Sequence, residues 1–189
     1  MSRDVALDPR LQFIHDRRTV SRLGDPGPSE SDLAAMLAAA ETAPDHGHLH
    51  PWRFLVLETA QRERVAAAFG AAQRTVSDTP EQVERASEKP MRGPCVVVAF
   101  ARTVPHPKIP DWEQFAAAAA ATQNLCLAAT ALGYGTAWRT GWYVEHAEVR
   151  EALGASADER VIGLIHIGSA DTRPSAPTDE SKASHRSPA

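Results

Sequence analysis

Two arginine-bearing segments, far apart in the chain, carry the side chains best suited to bind an anionic ligand. The first is residues 16–22, DRRTVSR, and the second is residues 133–141, GYGTAWRTG, after a long alanine-rich stretch. Guanidinium groups bind phosphate oxygens through paired hydrogen bonds, and a threonine hydroxyl adds one more donor. The alternative for Arg17 and Arg18 is a solvated helix end, where arginine complements the helix dipole. Together the two segments predict a phosphate-bearing, flat-ringed ligand.

The second segment combines an aromatic ring, a cation and several glycines. A tryptophan at a strand end commonly packs in the core, and an arginine after it commonly reaches solvent, so Trp138 and Arg139 alone are not diagnostic. The surrounding Gly133, Gly135 and Gly141 leave the backbone free to approach a flat ring closely. This combination favours a ligand pocket at the strand end.

Three histidines alternate in the loop after Pro44: His46, His48 and His50. In an extended loop all three could point the same way, as in some metal sites. The sequence offers no second cluster to complete a coordination shell, and a loop histidine that donates to a ligand or to a backbone oxygen is the simpler use. We expect no metal here.

The sequence shows no obvious protein nucleophile or acid–base pair. Cys95 and Cys126 each lie inside an apolar run, which is typical of buried, reduced thiols. A disulfide is not expected, because neither cysteine lies in a loop-rich, cysteine-dense context. Cys126 lies mid-helix among apolar residues, so its pKa should not be lowered. The residues thus give no sign of catalysis by a protein nucleophile.

The composition limits the class of protein. The chain has 189 residues, of which 43% are hydrophobic, and its formal net charge is -4. This length fits one domain, residues 1–170, followed by a polar tail at 171–189 that we expect to be mobile. The net charge gives no reason to expect nucleic acid or an anionic membrane as a partner. No apolar signal core or membrane-length stretch is visible, so we expect a cytoplasmic protein.

Periodicity predicts a fold in which helices and strands alternate only in part. A Gly-Tyr-Gly that follows a helix is in the wrong order for a dinucleotide-binding fingerprint. The prediction is an α+β fold, with a mixed or largely antiparallel sheet flanked by helices and a long, buried central helix. The predicted helices are residues 9–18, 30 to just before Pro44, 60–75, 80–89, 111–132 and 145–153, and the predicted strands are 52–58, 94–100, 136–138 and 161–167.

These motifs, in this order, resemble the nitroreductase family over about residues 10–170. The compact bacterial subgroup carries a double-arginine entry, an Ala-Pro-Asp-His loop leading to Pro-Trp, and a Trp-Arg-Ser/Thr-Gly strand end; KIPDWEQ before the long helix also matches. The resemblance implies a domain-intertwined homodimer with FMN at the subunit interface. NADH or NADPH would reduce the flavin, and a nitroaromatic, quinone-like or other small electron acceptor would reoxidise it in a ping-pong scheme.

The resemblance also assigns residues. The flavin performs the chemistry, so no catalytic side chain is expected. Contacts to FMN are expected from Arg17, Arg18, Thr19, Trp138, Arg139 and Thr140, and from Thr42 and His46 of the other subunit. The nicotinamide nucleotide is expected beside the end of the long helix, at Ala128, Ala129, Thr130, Ala131, Leu132 and Gly133.

The chain departs from the family pattern in one respect that matters for chemistry. Many members carry a lysine near the position of Ser21, so the charge of the reduced flavin must be met here by another group, such as Arg22 or Arg139. Arg173 could close over the phosphate. Two other functions stay open: an FMN-binding protein that stores or senses the flavin, and a metal-binding module built on the histidine loop. The acceptor and the choice between NADH and NADPH are also open.

Overall fold

A computed structural model describes residues 8–170 and shows a four-stranded, fully antiparallel sheet in the order β1-β2-β4-β3. This confirms the predicted α+β class. The strands β2 and β3 are consecutive in the chain but are not neighbours in the sheet, because β4 lies between them, and a long helix connects the two. The strands are β1 (Trp52–Val56), β2 (Cys95–Arg102), β3 (Gly135–Arg139) and β4 (Glu159–Gly168).

Within residues 8–170, six α-helices flank the sheet, close to the positions that periodicity predicts, although α1 ends two residues earlier than expected. Two single turns of 3-10 helix, Lys89–Met91 and Trp142–Glu145, lie between larger elements. The α-helices are α1 (Pro9–Asp16), α2 (Glu30–Ala40), α3 (Thr59–Arg74), α4 (Pro80–Ser87), α5 (Asp111–Ala131) and α6 (Ala147–Ala152).

The sheet separates two apolar cores. Successive side chains of a strand point to opposite faces, so Val97 and Ala99 of β2 face the α2–α5 side, whereas Val96 and Val98 face the α3–α6 side. Burial on both faces explains why β2 appears in the sequence as an unbroken apolar run. The α2–α5 core is closed by small alanines of the long helix.

The end of α5 sets the start of β3. Gly133 adopts a left-handed φ of 89°, and its N–H donates to the carbonyl of Thr130, while the N–H of Tyr134 donates to the carbonyl of Ala129. These two hydrogen bonds satisfy two carbonyls at the end of the helix, and the chain turns sharply there. At the other end of α5, Pro110 is the N-cap and Asp111 is the first helical residue, in agreement with the predicted start of this helix.

The segment after α1 runs beside β3. Thr19 forms a parallel bridge with Thr136, and the N–H of Val20 donates to the carbonyl of Thr136 at 2.9 Å. The two arginine-bearing segments of the sequence are therefore neighbours in space. Within the described residues no helix is long and apolar enough to cross a membrane. The predicted tail at 171–189, with Arg173, lies outside the described residues.

Candidate functional site

An open cavity of about 370 Å³ lies between β3, α5 and the segment after α1. Four of the residues assigned to a flavin by resemblance line it, two from each arginine-bearing segment: Arg17, Thr19, Trp138 and Thr140. No carboxylate is among its lining residues, so its charge suits an anion. The other lining residues are Gln123, Cys126 and Thr136.

Alternation along β3 divides the tryptophan from the arginine that follows it. Trp138 pairs with Ile165, which belongs to the α2–α5 core, whereas Arg139 pairs with Leu164 of the α3–α6 core. Trp138 thus lines the open cavity, and Arg139 lines a second cavity on the opposite face of the sheet. Thr140, just beyond the strand, borders both.

The orientation of Trp138 depends on an irregularity in β4. The register between β2 and β4 shifts between Ala99 and Phe100, which leaves Ile162 without an opposing residue. The indole N–H of Trp138 donates to the carbonyl of Ile162 at 3.3 Å. Gly163 leaves room for the ring, because a Cβ there would lie 2.5 Å from the indole nitrogen.

The paired arginines point in different directions. Arg17 lines the open cavity, and none of the five ion pairs within residues 8–170 involves it. Arg18 turns back along α1, where its Nη1 donates to the carbonyls of His15 and Arg17, and its Nε is buried without a partner in the described residues. Among the residues that the structure describes, Arg17 borders the open cavity and Arg18 does not.

Thr42 and His46 lie along α5, outside the lining of the open cavity. The Thr42 hydroxyl donates to the carbonyl of Ala39 and lies 3.3 Å from the amide nitrogen of Asn124. The Nδ1 atom of His46 lies 2.9 Å from a carboxylate oxygen of Glu113. Both contacts hold these side chains near the exposed flank of the long helix.

The segment assigned to the nicotinamide nucleotide forms the last turn of α5 and its cap. Within the described residues, Thr130 and Gly133 of this segment border a small cavity that they share with Arg18. The Thr130 hydroxyl already donates to the carbonyl of Cys126 at 3.0 Å, as a helical threonine often does. The segment therefore offers few free donors to a ligand within one protomer.

The second cavity, of about 230 Å³, contains charged groups that the sequence analysis did not select. Lys89 and Arg92 come from the loop before β2, which includes the 3-10 turn, and His166 lies near the end of β4. A lone histidine within the apolar run of β4 was the one local signal available. Lys89 and Arg92 lie in a polar stretch that resembles any solvated surface. The remaining lining residues are Phe69, Arg139, Thr140, Tyr143, Val144 and Leu164.

Burial governs the titration of Cys126, which lines the open cavity, and of His166, which lines the second cavity. Burial raises the pKa of the Cys126 thiol to about 11, so it is protonated near neutral pH, as expected from the sequence. Burial lowers the pKa of His166, against the opposing effect of its hydrogen bond to the Arg92 carbonyl. Neither group is an activated nucleophile.

The histidine loop is not extended. His48 and His50 have φ angles of 52° and 47°, in the left-handed region, so the alternation that would align three histidines is broken. The N–H of His50 donates to the Asp45 carboxylate at 2.7 Å. Within residues 8–170 no three histidine, cysteine or acidic side chains are grouped so as to hold a metal ion.

Comparison with known protein families matches residues 14–169 to the nitroreductase family. The chain belongs to the nitroreductase family. Both arginine-bearing segments, the long helix and the whole sheet lie within the matched region of this family, as the motif order suggested.

The chain is similar to a curated relative in sequence and to solved structures in fold. A candidate NAD(P)H nitroreductase of Escherichia coli K12, YdjA, is 33% identical over 158 residues, which cover 84% of this chain and 86% of that protein. A nitroreductase-like family protein from Bacillus cereus has a similar fold, with a TM-score of 0.78 and 24% identity, over 95% of this chain and 93% of that one. An FMN-dependent nitroreductase from Clostridium difficile R20291 matches with a TM-score of 0.64 and 22% identity, over 88% and 91% of the two chains.

Proposed function

We propose that this nitroreductase-family protein is an FMN-dependent oxidoreductase that uses NADH or NADPH to reduce small electron acceptors of the nitroaromatic or quinone type. The observation that carries this proposal is the open cavity at β3, where Arg17, Thr19, Trp138 and Thr140 meet. These residues come from segments more than a hundred positions apart in the chain. The names of the relatives, which include NADPH- and FMN-dependent enzymes, support it.

The residues around the open cavity fit FMN. Its volume of about 370 Å³ falls within the usual range of about 300–1,000 Å³ for ligand pockets. Arg17 has no carboxylate partner within residues 8–170, so its guanidinium is available to a phosphate. The Trp138 indole is held by its bond to Ile162 and presents a flat, apolar wall. When bound, FMN would accept hydride from the nicotinamide nucleotide and pass electrons on to the acceptor.

Each side chain would then have a separate task. Arg17 would hold the phosphate by charge and hydrogen bonds, and Thr19 would add a hydroxyl donor. Trp138 would cover one side of the ring and exclude water. Thr140 would mark the border with the second cavity, whose three cations, Lys89, Arg92 and Arg139, place positive charge behind the strand end.

We further propose that the site is completed by a second copy of the chain. Helix α1 has no buried residue, and its Leu11 and Ile14 are 49% and 45% exposed. An amphipathic helix whose apolar side chains remain in water gains stability by packing against a partner. Since α1 leads directly into Arg17, such a contact would also fix the phosphate-binding segment. Thr42 and His46 of one subunit would then reach the flavin of the other.

The test of the cofactor assignment is the FMN content of purified Arg17→Ala. Loss of one charge-assisted contact to phosphate should weaken FMN binding by roughly tenfold or more. The measurement is the ratio of flavin to protein absorbance after dialysis. Arg74→Ala, at the exposed end of α3, is the matched control and should keep its flavin. Full flavin content in Arg17→Ala would disprove the assignment.

Turnover separates an enzyme from a flavin-storage protein. Steady-state oxidation of NADH and of NADPH is measured with a quinone and with a nitroaromatic acceptor, beside an equal concentration of free FMN. We expect the protein to be faster than free FMN with at least one nucleotide. A bound flavin with no faster turnover would favour storage or sensing. A colourless protein that takes up no FMN would contradict both functions.

A further inference from the structure

The second cavity concentrates positive charge without any opposing carboxylate in its walls. Lys89, Arg92 and Arg139 line it, and none of the three takes part in an ion pair within residues 8–170. Like charges held around one small space repel one another, and a bound anion relieves that repulsion. The cavity therefore selects for a negatively charged group.

The loop that carries two of these cations is held rigidly. The Arg62 guanidinium donates to four carbonyls in this loop, those of Pro90, Arg92, Gly93 and Pro94, at 2.8–3.4 Å. The Nδ1 atom of His166 lies 2.8 Å from the Arg92 carbonyl as well. A carbonyl only accepts hydrogen bonds, so the proton of the neutral imidazole is on Nδ1 and Nε2 is left as an acceptor. The site is thus formed before any ligand arrives.

The rest of the wall is aromatic and aliphatic. Tyr143 stacks on Phe69 with ring centroids 5.1 Å apart, and its hydroxyl donates to the amide oxygen of Gln73. The Lys89 ammonium lies 3.9 Å from the centroid of the Tyr143 ring, which holds its charge at the cavity. Val144 and Leu164 add apolar surface. At about 230 Å³, the space is smaller than a typical pocket for a drug-sized ligand and suits a single ring.

From these features we propose that the second cavity binds a small, single-ring aromatic carboxylate. Its carboxylate meets Lys89, Arg92 and Arg139, its ring lies against the apolar wall, and a ring hydroxyl donates to Nε2 of His166. The site lies on the face of β3 opposite to the open cavity and is independent of the proposed flavin. It adjoins the open cavity at Thr140.

The experiment is calorimetric titration with 4-hydroxybenzoate, carried out on the protein saturated with FMN and on the flavin-free protein. The matched probe is 4-hydroxybenzamide, which keeps the ring and the hydroxyl but lacks the charge. We expect the carboxylate to bind about tenfold more tightly than the amide, and its affinity to fall with added salt. Equal affinity for the two probes would overturn the proposal.

Two variants assign the binding to this cavity. Lys89→Gln and Arg92→Gln should each weaken binding of 4-hydroxybenzoate by about fivefold to tenfold, while Arg74→Gln, at the exposed end of α3, should leave it unchanged. Arg92 is exposed, so its variant should keep the wild-type melting temperature and stay informative if Lys89→Gln is poorly folded. If Arg92→Gln binds 4-hydroxybenzoate as tightly as the wild type does, the site is refuted.

Two further outcomes also reject the proposal. If inorganic phosphate binds as tightly as 4-hydroxybenzoate, the aromatic wall contributes nothing and the cavity is a general oxyanion site. If FMN abolishes the binding seen in the flavin-free protein, the cavity belongs to the cofactor. Because the flavin-free protein is titrated separately, failure of the FMN assignment leaves this test intact.

Discussion

Gly163 offers the sharpest test of how the fold positions Trp138. In Gly163→Ala the new Cβ would lie 2.5 Å from the indole nitrogen of Trp138 and 2.7 Å from the carbonyl oxygen of Arg139. The second of these atoms belongs to the backbone of β3, which cannot rotate away. Both the tryptophan and the strand end must therefore move.

The size of the effect follows from these distances. The Arg139 carbonyl must retreat by about 0.7 Å to reach an ordinary contact of 3.4 Å, and such overpacking costs about 1–3 kcal/mol. The bond from Trp138 to the Ile162 carbonyl, already 3.3 Å long, is expected to break. A loss of about 2 kcal/mol lowers the Tm of a domain of this size by roughly 4–8 °C.

The assay combines thermal unfolding with FMN titration followed by flavin fluorescence. Gly24→Ala is the matched control, because a Cβ at Gly24 meets no heavy atom within 4 Å and the φ angle there is unstrained. We expect Gly163→Ala to melt earlier and to bind FMN more weakly, with the control close to wild type. A Gly163→Ala protein with unchanged Tm would refute the packing argument, and unchanged FMN affinity alone would separate Trp138 from the flavin site.

Three other predictions follow from buried polar groups. Glu159→Gln breaks the ion pair with Arg53 and should lower the free energy of unfolding by about 2 kcal/mol. This is less than for a fully buried pair, because the Arg53 side chain is 34% exposed. Chemical denaturation measures the loss, and an unchanged free energy of unfolding would disprove the role of the pair. The pKa of His166 is lowered in the folded protein, so on acidification the imidazole of the unfolded chain is protonated before that of the folded chain. The free energy of unfolding should therefore fall as the pH drops below 6.5. His166→Asn should show a smaller fall in denaturation experiments, and an equal fall would assign it to other groups. Cys126, with its pKa raised to about 11, should react with iodoacetamide at neutral pH far more slowly than free cysteine; comparable rates, followed by mass spectrometry, would contradict the burial.

The order and type of the elements could be read from the sequence, because they depend on local patterns. The unbroken apolar run at Cys95–Arg102 needs burial on both faces, and the alanine-rich stretch before Gly133 needs a central helix. The motif order also indicated the family. Boundaries were less certain: α1 ends at Asp16 and not at Arg18, because the next residues extend to run beside β3.

The direction of neighbouring side chains could not be read in the same way. Arg17 and Arg18 are adjacent residues of the same type, yet Arg17 borders the open cavity and the side chain of Arg18 turns back along α1. Trp138 and Arg139 were assigned to one pocket, but the strand places them on opposite faces of the sheet. Such choices depend on which face of a strand is covered and by what, which only the packed structure decides.

The sequence by itself determined the fold class and the family, since these follow from local periodicity and from the order of motifs along the chain. That the two arginine-bearing segments meet was expected from the family resemblance, and the structure supplies the contact, because Thr19 forms a bridge with Thr136. Only the tertiary structure revealed the second cavity, whose cations come from two segments distant in the chain: Lys89 and Arg92 from the loop before β2, and Arg139 from β3. No local pattern joins them, because their proximity results from antiparallel pairing and from the Arg62 bonds that hold the loop against the sheet.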